Sequence, residues 1–255
     1  MIKKKNDAVL SSSFRDPSGF VYKRNGTIYR QVNQHYKKHF DALMKSGLYK
    51  KLVSEGLLVP HKDVEMSYAL IKDAYKVILP EQLPIISYPY EWSFSQLKDA
   101  ALATLDIQER ALLHNMTLKD GSAYNIQFHN GIPVLIDTLS FEQYREGAPW
   151  IAYRQFCQHF LAPLALMSYC DVRLSQLLRI HIDGVPLDLA SKLLPAQTRL
   201  KFSLLSHVHL HAKSQKRYEN SGINASTRTV SRLALTALVA NLKTAVRKLT
   251  WKPTG

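Results

Sequence analysis

Three polar side chains with a defined spacing are the residues of this sequence best suited to chemistry: Asp120, Asn125 and Asp137, five and then twelve positions apart. Carboxylate and amide oxygens are ligands that Mg²⁺, a hard cation, prefers. Phosphoryl transfer depends mainly on positioning and on charge neutralisation by Mg²⁺. We therefore predict that Asp120 receives the proton of an acceptor hydroxyl, while Asn125 and Asp137 bind the metal. The alternative is that all three are ordinary turn residues, because Asp and Asn are common in turns.

The segments around these residues predict a loop followed by a β-hairpin. Two short β-type runs, 125–128 and 132–136, flank a turn that contains Asn130-Gly131, a strong hairpin signal. The second run is apolar and leads into Asp137. A long, mostly apolar helix is predicted ahead of the loop, at 94–115, with Ser93 as its N-cap. This order of residues and elements is the layout of a protein-kinase catalytic loop and metal-binding loop.

The N-terminal part of the chain predicts a second hairpin and a helix. Residues 20–24 and 27–32 alternate apolar and polar side chains about Asn25-Gly26, which is again a hairpin turn. Residues 36–58 carry an apolar stripe with helical spacing that Gly47 and Gly56 interrupt, and 76–90 is proline-rich and β-like. These elements would form a lobe that covers the candidate site.

The C-terminal part is predicted to be mostly helical. Helix patterns cover 148–180, with a break at Pro163, and 187–220 reads as a basic helical stretch. Residues 228–250 form a basic amphipathic helix, which can dock on the domain, on a partner or on an anionic membrane surface. Docking on protein is the expectation.

Composition places the chain among proteins with a full hydrophobic core. Its 255 residues are 46% hydrophobic, enough for one domain or two lobes. No apolar run approaches the about 18 residues that a membrane span needs, and no signal-type apolar core follows the N-terminal lysines. Cys157 and Cys170 lack a CxxC spacing, so we expect reduced thiols in a cytoplasmic protein.

The net charge of +14 is spread unevenly. Residues 1–62 carry 13 Lys or Arg against 4 Asp or Glu, and residues 195–255 carry 11 against 1. The middle, 63–194, carries 10 against 15. The acidic centre suits a metal site, and the basic ends suit anionic partners. No helix-turn-helix, zinc-finger or RNP signature is present, so specific nucleic-acid binding is not expected.

Three histidines alternate at His207, His209 and His211. Such a set could ligate Zn²⁺, but no nearby cysteine or carboxylate completes it. Core or surface imidazoles are the expected interpretation.

Three long segments carry a family resemblance: 87–98, 117–141 and 153–163. From about residue 14 to residue 217 the sequence resembles a bacterial family described as nodulation-protein-like or class I SAM-dependent methyltransferases. There, this region looks like an N-terminal module ahead of a methyltransferase domain, so the resemblance implies a methyltransferase domain or subunit as partner. No glycine-rich loop for SAM binding follows a strand here, and we expect no methyltransferase domain in this chain. The module itself resembles the protein-kinase and aminoglycoside-phosphotransferase group.

The resemblance implies roles for individual residues. Asp120 looks like the catalytic-loop Asp, with Lys119 beside it to contact phosphate. Asn125 and Asp137 look like the metal ligands. Arg30 occupies the place where a kinase holds its phosphate-binding Lys.

The segment 87–92 looks like the hinge that hydrogen-bonds adenine through backbone groups, which assigns to the nucleotide Ser87, Tyr88, Tyr90 and Glu91. The sequence also departs from the kinase pattern. Leu118-Lys119 replaces the catalytic-loop His-Arg, and Thr138-Leu139 follows Asp137. Arg30 is not a geometric copy of Lys, because its guanidinium is a planar fork.

These observations predict a two-lobed, protein-kinase-like α+β fold with a mostly helical large lobe. The expected units are a disordered leader at 1–13, a small β-containing lobe at 14–90, a helical lobe at 91–220, and a basic helix or linker at 221–255. The expected function is phosphoryl transfer, dependent on ATP and Mg²⁺, to a hydroxyl of a small molecule or glycan. The alternatives are a catalytically weak, pseudokinase-like module that positions a methyltransferase, and a basic protein that binds anionic polymers. The helix at 228–250 is expected to support self-association or partner binding.

Overall fold

The first part of the protein is built on an antiparallel sheet. The computed structural model describes residues 8–9, 16–210 and 229–251. Five strands pair in the order β1-β2-β3-β5-β4. They are β1 (Ala8–Val9), β2 (Gly19–Arg24), β3 (Thr27–Asn33), β4 (His61–Val64) and β5 (Ala74–Pro80). Because β1 pairs with β2, two residues of the predicted disordered leader form an edge strand.

The predicted hairpin between β2 and β3 is confirmed. Asn25 and Gly26 both have positive φ, 50° and 86°, as a tight hairpin turn between twisted strands requires. Gly19 begins β2 where the neighbouring strand passes very close, since a Cβ there would lie 2.1 Å from the carbonyl oxygen of Gln31. No other residue type fits that approach.

Two helices lie within the stretch predicted to be helical at 36–58, and the predicted interruption at Gly47 is confirmed. They are α1 (Lys37–Lys45) and α2 (Leu48–Ser54). Gly47 lies between them with φ of 80°, a left-handed conformation that ends a helix. The sheet and α1 share a small core formed by Val32, Tyr36, Phe40, Ile78 and Leu139.

The long helix α3 (Phe94–Leu113) is the centre of the larger core. Its predicted N-cap is confirmed. The Ser93 hydroxyl accepts from the Gln96 N–H, and the Gln96 side-chain oxygen accepts from the Ser93 N–H. Two short ladders follow it. One pairs β6 (Met116–Leu118) with β9 (Phe141–Gln143), and the other pairs β7 (Ile126–His129) with β8 (Ile132–Leu135).

The remaining described elements are helical. They are α4 (Tyr153–Phe156), α5 (Ala162–Tyr169), α6 (Leu177–Ile180), α7 (Leu187–Leu193), α8 (Phe202–Leu204) and α9 (Arg232–Lys248). The predicted break at Pro163 is wrong. A π-turn at Cys157–Leu161 joins α4 to α5, and Pro163 lies in the first turn of α5, where proline's missing N–H is tolerated.

The helix α9 packs on the domain. Its apolar side is buried in the same core as α3, and the Lys98 ammonium donates to the carbonyls of Arg247 and Leu249 at its C-terminal end. The expectation that this side serves self-association therefore has no support from the packing. Among the helices of the described ranges, none is both long and apolar enough to cross a bilayer. Both cysteines are free thiols, and burial raises the pKa of Cys157 to about 12.

We predict that α9 contributes to stability and that its contribution comes from the buried side. Leu242 is fully buried, whereas Leu233 in the same helix is 80% exposed. Leu242→Ala should lower the free energy of unfolding by about 2–5 kcal/mol, because it removes apolar contacts and leaves a cavity. Leu233→Ala should change it by less than about 0.5 kcal/mol. Urea denaturation measures both, and equal effects would contradict this packing.

Candidate functional site

Asp137 is held in place by a strand that is paired on both sides. β8 pairs with β7 on one side, and on the other Leu135 exchanges backbone bonds with Leu57 and Val59, each 2.9 Å. Asp137 lies two residues beyond the end of that strand. The sequence predicts β8 from its apolar run. Its second partner is the segment around Leu58, almost 80 residues earlier, so this pairing is seen only in the folded structure.

Both oxygens of the Asp137 carboxylate accept hydrogen bonds. Its Oδ1 accepts from the Leu139 N–H at 2.8 Å, and its Oδ2 accepts from the Ser140 hydroxyl at 2.9 Å. Arg30, on β3, donates from Nη1 to the same Oδ1. The side chains of Arg30 and Asp137 are only 14% and 13% exposed, so this ion pair is partly shielded from water. Asp137 is the one hydrogen-bond or ion-pair partner of the Arg30 guanidinium among the described residues, and the bond to its Oδ1 uses only part of the five N–H donors.

Ser140 connects Asn125 to Asp137. Its hydroxyl carries one proton, which is donated to the carboxylate, so its oxygen can only accept a second bond. The Asn125 side chain supplies that bond from Nδ2 at 3.3 Å. The Asn125 amide is therefore oriented with its NH₂ group towards Ser140 and its carbonyl oxygen available to another group. Ser140 is fully buried, and sequence reasoning missed it because a serine three residues after an aspartate is not distinctive.

Lys119, which directly follows β6, reaches to the turn that precedes β2. Its N–H donates to the Ser140 carbonyl at 2.8 Å, extending the β6–β9 ladder. Its ammonium donates to the Ser18 hydroxyl at 2.6 Å and lies 3.9 Å from a carboxylate oxygen of Asp16. The same ammonium is 4.9 Å from the centre of the Tyr36 ring, within cation–π range. Lys119 thus bridges the sheet and the loop.

Tyr36 is a second residue that the sequence did not indicate. It is almost fully buried, and its hydroxyl donates to the Phe141 carbonyl. Burial, reinforced by the Asp137 charge, raises the pKa of Tyr36 well above its usual range. It therefore remains a neutral donor that fixes the start of α1 against β9.

Asp120 lies on the same loop but is not part of the chain of bonds around Ser140. Its Oδ1 accepts from the Ser122 N–H at 2.9 Å, and the next residue, Gly121, donates to the Gln155 side chain at 2.7 Å. Asn125 and Asp137 are thus brought together through Ser140, while Asp120 is bonded within its own loop. The described residues contain no cluster of three or more His, Cys, Asp or Glu that could hold a metal.

The predicted hinge is tied to the rest of the protein by its own polar groups. The Gln127 side chain accepts from the Ser87 N–H at 2.8 Å and donates to the Ser87 carbonyl at 2.9 Å. The Tyr88 N–H donates to the Glu91 carboxylate at 2.7 Å. Two backbone donors assigned to adenine are therefore already bonded within the protein. The Tyr90 ring stacks on the Tyr88 ring, with centroids 5.5 Å apart.

Comparison with known proteins supports the resemblance to nodulation proteins. The chain is 38% identical over 208 residues, 81% of its length, to "Nodulation protein NoeA" of Rhizobium meliloti (strain 1021). That match covers 43% of NoeA, so the chain spans less than half the length of this relative. A search of protein-family models found no match. Among solved structures, vaccinia related kinase 3 matches at 16% identity with a TM-score of 0.35, over 56% of this chain and 48% of that chain.

The described histidines of the alternating set are core residues. The His207 ring is bonded to the Tyr153 hydroxyl at 2.7 Å and to the Asn241 side chain at 2.9 Å. The His209 ring is bonded to the hydroxyls of Ser191 and Thr198 at 2.8 and 3.0 Å. Both rings are fully used in these bonds, as expected of core imidazoles. His211 lies outside the described residues.

We predict that the free energy of unfolding decreases in mild acid, because two imidazoles are buried. Burial lowers the pKa of His61 and of His159 to about 4. The unfolded chain takes up protons on these rings below about pH 6.5, whereas the folded protein does not until about pH 4. Their contribution to stability is therefore complete above about pH 6.5 and decreases as the pH falls towards 4. Urea midpoints measured across this window should fall.

His159→Phe should make the fall of the urea midpoint with decreasing pH less steep, because it removes one of the two buried imidazoles that stay neutral in the folded protein. The exposed His35 provides the control, and His35→Gln should leave the slope unchanged. A slope that is identical in wild type and His159→Phe would contradict the assignment.

Proposed function

We propose that this chain is a phosphotransferase-like domain that binds ATP with Mg²⁺ and transfers phosphate to a hydroxyl of a small molecule or glycan. The observation that supports this proposal most directly is a series of hydrogen bonds that connects Asn125, Ser140, Asp137 and Arg30. These bonds join the sheet to the loop after β8. In this proposal the sheet with α1 and α2 forms one lobe of a kinase-like fold, and the helical core forms the other.

The cationic side chains are proposed to contact phosphate. Arg30 has donors that are not used by Asp137. The Lys119 ammonium donates to the Ser18 hydroxyl, a neutral partner that an anion can replace, and it lies 3.9 Å from the Asp16 carboxylate. Asp120 lies one residue after Lys119 and would orient the acceptor hydroxyl and take its proton. Its Oδ2 accepts no bond from the described residues, so it remains available for that hydroxyl.

The donor set at Asn125 and Asp137 fits a hard divalent cation. Ser140 orients the Asn125 amide so that its carbonyl oxygen is available, and Asp137 supplies a carboxylate. These two residues would hold Mg²⁺, which when bound would neutralise the phosphate charge. Arg30 occupies Oδ1 of Asp137 and would share that carboxylate.

The base of the nucleotide is assigned to the hinge residues Ser87, Tyr88, Tyr90 and Glu91. Because the N–H groups of Ser87 and Tyr88 are already bonded, adenine would have to exchange bonds with Gln127 and Glu91. Phosphate contacts are therefore expected to provide most of the affinity.

A second candidate is a catalytically weak, pseudokinase-like module that associates with a SAM-dependent methyltransferase. It is favoured by the engagement of Asp137 with Arg30, and by Leu118-Lys119 in place of His-Arg. In this case the chain would bind nucleotide weakly or not at all. ATP binding and ATP turnover separate the two candidates.

ATP with Mg²⁺ should raise the melting temperature of the protein, because a ligand that binds only the native state stabilises it. Asp137→Asn should reduce the part of the shift that depends on Mg²⁺. Asp188→Asn, which alters an exposed pair with Lys192, is the matched control and should retain the full shift. No shift at millimolar ATP, together with no heat in calorimetry, would favour the second candidate.

Catalysis should depend on Asp120. Asp120→Ala should lower ATP turnover by about 10²–10⁴-fold, the usual contribution of general acid–base catalysis, while ATP binding is retained. A coupled assay of ADP release measures the rate, and the thermal shift checks binding. Equal turnover by wild type and variant would exclude Asp120 from the reaction.

A further inference from the structure

Two large apolar side chains project into solvent just before and at the start of α8. Leu200, at the end of a short 3₁₀ turn (Ala196–Leu200), is 89% exposed, and Phe202, the first residue of α8, is 73% exposed. Lys201 between them has an extended backbone, with φ of −93° and ψ of 106°. Alternate side chains of an extended chain lie on the same side. Lys201 accordingly points the other way, with its ammonium 5.6 Å from the centre of the Tyr169 ring, and Leu200 and Phe202 form one apolar pair.

The turn that carries the apolar pair is fixed to the core. Thr198 is fully buried, and its hydroxyl donates to the Pro195 carbonyl at 2.6 Å. Because that hydroxyl has one proton, it accepts its second bond, at 3.0 Å, from the His209 ring. The other ring nitrogen of His209 is bonded to the Ser191 hydroxyl on α7 at 2.8 Å, and the Lys201 N–H donates to the Thr198 carbonyl at 3.1 Å. The apolar pair is therefore held outward by a bonded turn.

Cationic side chains accompany the apolar pair. Arg199, directly before Leu200, is exposed and forms no ion pair with a described residue. Lys201 is also exposed, and its partner is a neutral ring. Lys192 is paired with Asp188 at 3.6 Å. From 189 to 210 the sequence has three basic residues and no Asp or Glu, so the charge along this segment is positive.

This combination suits the surface of an anionic membrane. Leu and Phe enter the boundary between headgroups and acyl chains, while Arg and Lys pair with lipid phosphates. A stable protein interface would need about 800 Å² on each partner, and lysine is depleted in such interfaces. Here two apolar side chains alternate with two cations, which is a small area for a protein partner. The net charge of +14 also draws the chain towards an anionic surface before contact.

We propose that residues 199–202 dock the protein on the surface of a bilayer that contains anionic phospholipids. Leu200 and Phe202 enter the headgroup boundary together, because they project from the same side of the chain. Arg199 pairs with a lipid phosphate, and the Lys201 ammonium exchanges the neutral Tyr169 ring for another. The contact is peripheral and involves no residue of the proposed phosphotransfer site.

Vesicle flotation of the full chain tests this proposal, with vesicles of phosphatidylcholine alone and vesicles of phosphatidylcholine mixed with phosphatidylglycerol. The protein should float with the mixed vesicles at about 0.1 M salt, and less at about 1 M salt, where charges are screened over a few ångströms. Binding to phosphatidylcholine alone should be much weaker.

Four variants locate the contact. Leu200→Ser and Phe202→Ser should each weaken binding to the mixed vesicles about tenfold, because each removes one large apolar side chain from the boundary. Arg199→Gln should weaken it about fivefold. Leu233→Ser removes a leucine of α9 that is 80% exposed, and this matched control should bind as wild type does. Melting temperatures of the same samples should be unchanged, since all four side chains are exposed.

No flotation with the mixed vesicles, or equal flotation of wild type, Leu200→Ser and Arg199→Gln, would overturn the proposal. Equal flotation with the two kinds of vesicle would also overturn it, because an anionic surface would then not be required. Sedimentation without vesicles tests a protein occupant. A dimer that Leu200→Ser dissociates would show that the apolar pair is a contact between two copies of the chain, and the membrane assignment would fail.

Discussion

Arg30 and Asp137 are 107 residues apart in sequence, and their contact joins the sheet to the loop that follows β8. Both side chains are largely shielded from water, so each charge depends on the other for its compensation. Loss of one partner would leave an uncompensated charge in a site that is partly shielded from water, which is destabilising. The positive charge of the Arg30 guanidinium offsets the negative charge of the Asp137 carboxylate.

The other contacts of the site are arranged around that pair. Ser140 donates to Asp137 and for this reason must accept from Asn125, so the orientation of one amide follows from the charge of a neighbouring carboxylate. The Tyr36 hydroxyl bonds the start of α1 to β9, and the Lys119 ammonium lies over the Tyr36 ring. Movement of the sheet relative to the helical core would alter the Arg30–Asp137 pair and the Lys119 contacts together.

Local patterns predicted the elements near the site well, because short-range geometry decides them. The Asn-Gly hairpin at 25–26 and the capping box at Ser93 depend only on residues within a few positions. The interruption predicted at Gly47 is likewise a local property, because a glycine can adopt the positive φ that ends the first helix. The predicted break at Pro163 was wrong, because a π-helical turn carries the chain past Pro163, which an apolar stripe does not reveal. The mixed helix-and-strand class is confirmed, although the residue roles stay predictions.

The sequence by itself determined the order of the chemical groups: Lys119 and Asp120, then Asn125, a hairpin, and Asp137. It could not determine which distant residues bond to each other, because hydrogen bonds and ion pairs between distant residues depend on how the elements pack. Only the tertiary structure shows that Arg30 contacts Asp137, that Ser140 joins Asn125 to that carboxylate, and that Gln127 bonds to the predicted hinge. It also left the Tyr124 hydroxyl and His159 Nδ1 buried without hydrogen-bond partners among the described residues, since burial is a property of the assembled core.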